Sequence, residues 1–152
     1  VITVREIEPL DLHQTLDLGR LMQAEAPAYR DYPFEDERFS AWFALCLENP
    51  DWLGLVAVDD LCGVIGFLAM GCAPMIFCSA RTADDLAFFV HPKWRGTTAA
   101  VRLIRSMEAW AQAKGVAQIR MGLTTGTNTE SARKFLERFG YQLEGLVLVK
   151  RN

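Results

Sequence analysis

Apolar and polar positions alternate through TVREIE at the start of the chain, the period of two expected of a half-buried strand. At Pro9 the period changes. Pro9 and Asp11 open a helix whose apolar positions Leu12, Leu16, Leu18, Leu21 and Met22 recur at helical spacing, and the pattern ends near Ala26-Pro27. YRDYPFEDE, interrupted by Pro33 and its aspartates, predicts a loop, and a second short helix follows from about Glu35 to Leu47. The run WLGLVAVDDLCGVIGFLAMGC splits at Asp59-Asp60 into the two strands of a hairpin. APMIFCSARTADD fits either a continuation of the second strand or a loop. Beyond it the pattern predicts a strand at LAFFV, a helix over TTAAVRLIRSMEAWAQAKG closed by Gly115, and a strand at VAQIRMGLT. A helix over NTESARKFLERFG closed by Gly140 and a last strand at YQLEGLVLVK complete the chain. The order β-α-α-β-β-β-α-β-α-β, without repeats, low-complexity segments or linkers, predicts one mixed α/β domain over residues 1–152.

Composition narrows the class. With 51% apolar residues in 152, the chain can bury a substantial core and is not expected to be disordered. The longest apolar run, Leu61 to Met70, is broken by Gly63 and Gly66 and is shorter than the ~18 residues of a membrane span, so no membrane partner is expected. The opening VITVREIEP carries charges where a signal peptide would be apolar. Cys46, Cys62, Cys72 and Cys78 lie in apolar company with no CxxC spacing, and only His13 and His91 could join them as ligands. No metal site is expected, and free thiols point to a cytoplasmic location.

The net charge of −3 hides an asymmetry: residues 1–60 hold 13 acids against 4 bases, residues 61–152 hold 6 acids against 12 bases. Two explanations stay open, namely two solvated faces, or a basic half for an anionic cofactor and an acidic half for a cationic acceptor. No basic stripe with interleaved aromatics occurs, so nucleic acid is not an expected partner.

The stretch VHPKWRGTTAAVRLI, Val90 to Ile104, runs from a strand through a basic turn straight into a helix. A helix N-terminus has unpaired N–H groups and partial positive charge, which suits an anion. Gly96, Ala99 and Ala100 are small enough to let a pyrophosphate reach the backbone, Thr97 and Thr98 add hydroxyl donors, and Arg95 adds charge. The GK[ST] tail of a Walker loop and the three glycines of a dinucleotide fingerprint are both missing. An ordinary strand-to-helix turn with Thr97 as N-cap remains the alternative.

Element order decides between them. Together with LAFFVHPKWRGTTAAVRLI and ARKFLERFGY, it resembles the GNAT family of acetyl-CoA-dependent N-acetyltransferases over essentially the whole chain, and more narrowly the acetyltransferases of bacteriophage and bacterial genomes. The resemblance implies a single domain with a mixed, mostly antiparallel sheet flanked by helices, in which the fourth and fifth strands splay apart to admit the pantetheine arm. It implies that main-chain groups of Phe88, Phe89 and Val90 meet that arm, with the Val90 N–H aimed at the thioester oxygen. Arg95, Gly96, Thr97, Thr98, Ala99 and Ala100 would hold the pyrophosphate, although Thr98 stands where the family's central loop glycine is expected. Asn128 falls close to a family asparagine that contacts the cofactor; Thr129 is the alternative register, and a helix N-cap the alternative role.

Acetyl transfer to an amine needs a base. Asp84 and Asp85 precede the fourth strand, Asp84 in phase with Leu86, Phe88 and Val90, where many relatives carry a glutamate; Glu35, Asp36 and Glu37 come next. Leu136 stands where many relatives place a tyrosine to protonate the leaving thiolate, and Tyr29, Tyr32 and Tyr141 are the candidates to replace it. Tyr29, Tyr32 and Phe34 lie where relatives line the acceptor pocket, whereas Trp110, Phe135 and Phe139 fall at core spacing. The expected activity is direct acetyl transfer from acetyl-CoA to a primary amine on a small molecule or a protein. The alternatives are an acyl-CoA-binding or sensing module without turnover and a dedicated protein-modifying acetyltransferase. A homodimer is compatible with either.

Overall fold

The alternating N-terminal stretch forms β1 (Ile2–Glu6), which pairs antiparallel with β2 (Trp52–Asp59) in a computed structural model that describes residues 1–152. Next come β3 (Gly63–Pro74) and β4 (Arg81–Val90), both added antiparallel, and β5 (Gln118–Arg120), which runs parallel to β4. The sheet order is β1-β2-β3-β4-β5. α1 (Leu12–Glu25) and α2 (Asp36–Glu48) follow β1, α3 (Ala99–Ala113) crosses from β4 to β5, and α4 (Thr129–Glu137) follows β5. The sheet is therefore mixed and mostly antiparallel, flanked by helices, as the sequence predicts. No helix is long and apolar enough to cross a membrane.

Both faces of the sheet are buried, which explains the nearly continuous apolar runs of β2 and β3. On one face Leu53, Leu55, Ala57, Leu68 and Met70 meet Leu103, Ile104 and Met107 of α3. Val56, Phe67 and Phe89 point the other way, onto Leu18 of α1 and Phe43 of α2. The start of α1 is tied to the sheet by an ion pair: Arg5 donates to both carboxylate oxygens of buried Asp11, at 2.7 and 3.0 Å. Burial alone would raise the Asp11 pKa, but Arg5 and the Glu8 N–H bring it below the usual carboxylate value.

Four expectations are corrected. The segment between the hairpin and LAFFV is neither one long strand nor a loop throughout, because β3 ends at Pro74 and β4 already begins at Arg81. The strand expected over VAQIRMGLT shrinks to Gln118–Arg120, since only Thr82–Asp84 of β4 offers it a partner. The phase assigned to Asp84 is also wrong. A bulge at Leu86 lets Met70 pair with Asp85 while Ala69 pairs with Ala87. This extra residue moves Asp85, not Asp84, onto the face of Phe88 and Val90. The last strand expected over Tyr141–Lys150 is absent, and from Gln142 onward the backbone makes no hydrogen bond to other backbone.

Candidate active site

Past Asp84, β4 has no neighbour on its β5 side, and a cleft of about 1210 Å³ opens there. Asp85 to Val90 form its floor, Gly96, Ala100 and α4 residues such as Ser131 and Phe135 line one end, and Met22, Phe34 and Phe39 line the other. Two loops meet beside it. Ala28 N–H donates to the Thr125 carbonyl at 3.1 Å, Thr127 Oγ1 donates to the Glu25 carbonyl at 3.2 Å, and the Tyr29 hydroxyl meets Thr124 Oγ1 at 3.4 Å. Tyr29, Thr124, Thr125 and Thr127 all line the cleft, so these contacts form an arch between its two ends.

The His91 N–H donates to Ile65 of β3. Because N–H groups alternate sides along a strand, those of Val90 and Phe88 point away from β3 into the gap, and Phe89 bonds to β3 instead. Phe89 instead contributes a ring, on which the Arg95 guanidinium lies 5.4 Å from the centroid. Arg95 Nε donates to the Val90 carbonyl at 3.1 Å and Nη2 donates to Glu25 at 2.7 Å. The arginine thus reaches back over β4 toward α1.

Gly96 turns the chain with φ +83°, a conformation costly for any side chain, and nothing stands within 4 Å of where its Cβ would be. Thr97 Oγ1 donates to the Trp94 carbonyl and accepts from the Ala99 N–H, while Thr98 is the N-cap residue. The N–H groups of Gly96, Thr98, Ala100 and Val101 have no acceptor within the protein. Four unpaired donors around a helix start fit an anion such as a pyrophosphate. Thr97, Thr98 and Ala99 do not themselves line the cleft.

Asp85 accepts from the Gly122 N–H at 2.7 Å and lines the cleft. Burial, assisted by the neighbouring Asp84, raises its pKa to about 6 against the pull of that hydrogen bond. Asp84 lies outside the cleft and faces Arg120 at 3.3 Å. Asn128 lines the cleft in the left-handed region, φ 45°, and precedes α4 without capping it through its side chain. Leu136 is buried at the cleft wall. Of the tyrosines only Tyr29 reaches the cleft; Tyr32 lies outside it, and Tyr141 packs on the α3 side of the sheet. Of the three acids at the start of α2, only Glu35 lines the cleft. Phe135 lines it as well as packing against the core, a double role that helical spacing alone does not reveal.

A strand splayed from its parallel neighbour beside a donor-rich helix start is a fold-level signature, and it agrees with the sequence: residues 18–141 match the profile described as Acetyltransferase (GNAT) family. The chain belongs to that family. As a GNAT enzyme it is an acetyltransferase whose donor is acetyl-CoA. Among solved structures, similar folds include AAC(6')-Iy in complex with a bisubstrate analog, at 21% identity over 100% of this chain and 98% of that one, TM-score 0.78. Glucosamine-6-phosphate N-acetyltransferase from Arabidopsis thaliana is 13% identical over 99% and 98% of the two chains, with TM-score 0.77. A transcriptional regulator from Bacillus halodurans C-125 is 20% identical over 99% and 100%, TM-score 0.78. At such identities the likeness carries the GNAT fold alone. No curated protein sequence matches the chain.

Five participants escaped sequence reasoning. Glu25, Phe39 and the threonines of the arch carry no motif, and Glu25 meets Arg95 across 70 positions of sequence.

Proposed function

We propose that this GNAT enzyme transfers the acetyl group of acetyl-CoA to a primary amine by direct attack, with Asp85 as base. The observation that carries the proposal is the half-buried Asp85 carboxyl, raised to about 6, on the floor of the gap that also receives the Val90 N–H. Near neutral pH this carboxylate is ionised and accepts a proton from the incoming ammonium. The freed amine nitrogen bonds to the carbonyl carbon, the Val90 N–H stabilises the charge gathering on the carbonyl oxygen, the carbon–sulfur bond breaks, and the now cationic nitrogen releases its second proton to water to leave the neutral amide. Leu136 cannot protonate the sulfur, but a thiol of pKa about 8.5 leaves as a thiolate and takes its proton from water.

The unpaired N–H groups of Gly96, Thr98, Ala100 and Val101 support a pyrophosphate site at the start of α3, with Phe88 and Val90 offering main-chain groups to the pantetheine and Asn128 beside it. Arg95 adds positive charge at this end only by giving up Glu25, so its contribution to binding is set against an existing ion pair. The test is acetyl-CoA turnover with an amine panel, read by thiol release, together with calorimetry of CoA binding. Arg95→Ala is expected to weaken CoA binding by about 1–3 kcal/mol. Absence of turnover despite tight CoA binding would favour the sensing module.

A further inference from the structure

We infer that the acceptor is a monoamine carried on a flat apolar body, of the arylalkylamine type, and not a polyhydroxylated polycation; this rests on the acetyltransfer proposed above. The end of the cleft away from α3 and α4 is walled by Met22, Phe34, Phe39, Phe67 and Phe89. Its rings are chained, with centroids 5.7 Å apart for Phe34–Phe39, 5.9 Å for Phe39–Phe67 and 6.4 Å for Phe67–Phe89. Phe67 and Phe89 are buried behind this wall, so Phe34 and Phe39 offer the faces and edges for an aromatic body to stack against.

The polar groups at that end are already engaged with one another. Gln23 donates its amide to the Tyr29 and Tyr32 carbonyls at 3.1 and 2.8 Å, Glu35 faces Arg38 at 3.7 Å, and Glu25 holds Arg95 at 2.7 Å. Asp36, a candidate base in the sequence, pairs with Arg20 outside the cleft. That leaves one carboxylate in the cleft without a cationic partner, Asp85, whose contact is the Gly122 N–H. One carboxylate matches one ammonium. A ligand with several amines and hydroxyls would leave most of them unpaired against phenylalanine rings, each buried without a partner and each weakening binding.

The test compares 2-phenylethylamine, propylamine, spermidine and kanamycin as acceptors, with calorimetry of acetyl-CoA binding alongside. The expected result is a kcat/KM for 2-phenylethylamine about tenfold or more above each of the others. Phe39→Ala, or Phe34→Ala should the first variant fail to fold, is expected to raise KM for 2-phenylethylamine about tenfold while leaving CoA affinity unchanged. A preference for spermidine or kanamycin, or a Phe34→Ala enzyme indifferent to the ring, overturns the inference but not the acetyltransfer. Acetyl-CoA binding without acetylation of any amine overturns the inference and the turnover together, and failure to bind acetyl-CoA removes the donor site as well.

Discussion

Asp85 and Asp84 are adjacent, yet they differ in surroundings by a single bulge. The sequence offers both as base, and strict alternation puts Asp84 in phase with Phe88 and Val90; one extra residue at Leu86 puts Asp85 there instead, and nothing in DDLAFFV announces a bulge. Asp85 also sets two opposite pH responses. As the proposed base it would have to be ionised, so kcat/KM is expected to climb with pH through about 6, and Asp85→Asn to lose roughly a hundredfold in rate. Stability runs the other way. A carboxyl whose folded pKa lies above its unfolded one favours folding most when protonated, and that advantage is lost as pH rises from about 4 through about 6. Asparagine carries no charge to bury, so Asp85→Asn should stabilise the fold at pH 8 by about 2–3 kcal/mol and change little at pH 3. Thermal unfolding of both proteins at the two pH values decides it. Asp11, held below the ordinary carboxylate value, contributes with the reverse sign and loses its share as pH falls.

Helices were the most legible elements, because period and breakers coincide: Pro9, Ala26-Pro27 and Gly115 lie within a few residues of the observed ends. Strands were legible only where a partner exists. YQLEGLVLVK has the composition of a strand, but β5 is three residues long and the segment pairs with nothing, so propensity alone does not make it one. Helix packing also shapes the cleft. Gly19 of α1 lets the Phe39 ring of α2 approach so closely that an added Cβ would sit 2.6 Å from Phe39 Cε2. Gly19→Ala is therefore expected to push that ring, cost about 1–3 kcal/mol, and raise KM for the amine several-fold while CoA affinity holds. Paired steady-state and calorimetric measurements would show whether the two ends of the cleft separate in this way.

At the scale of the molecule, the acidic front and basic back divide less cleanly than the charge count suggests. The proposed cofactor end would draw anions through unpaired main-chain donors as much as through Arg95, and much of the acidic front is spent on Arg5, Arg20 and Arg95. Leu146 and Leu148, at 85% and 93% exposure, leave an unpaired apolar tail in a molecule whose sheet also ends in an open edge at β5, a combination prone to strand addition between molecules. Removing residues 142–152 should leave the unfolding temperature nearly unchanged and raise the concentration at which light scattering still reports a single species. The arch of Ala28, Tyr29 and Thr127 against residues 124–125 and Glu25 has a kinetic consequence. With the two ends of the cleft on either side of it, neither substrate blocks the other's path, so the enzyme should form a ternary complex in random order. An unreactive analogue of the amine would then inhibit competitively against the amine and non-competitively against acetyl-CoA, whereas a compulsory order with acetyl-CoA first would make it uncompetitive against acetyl-CoA.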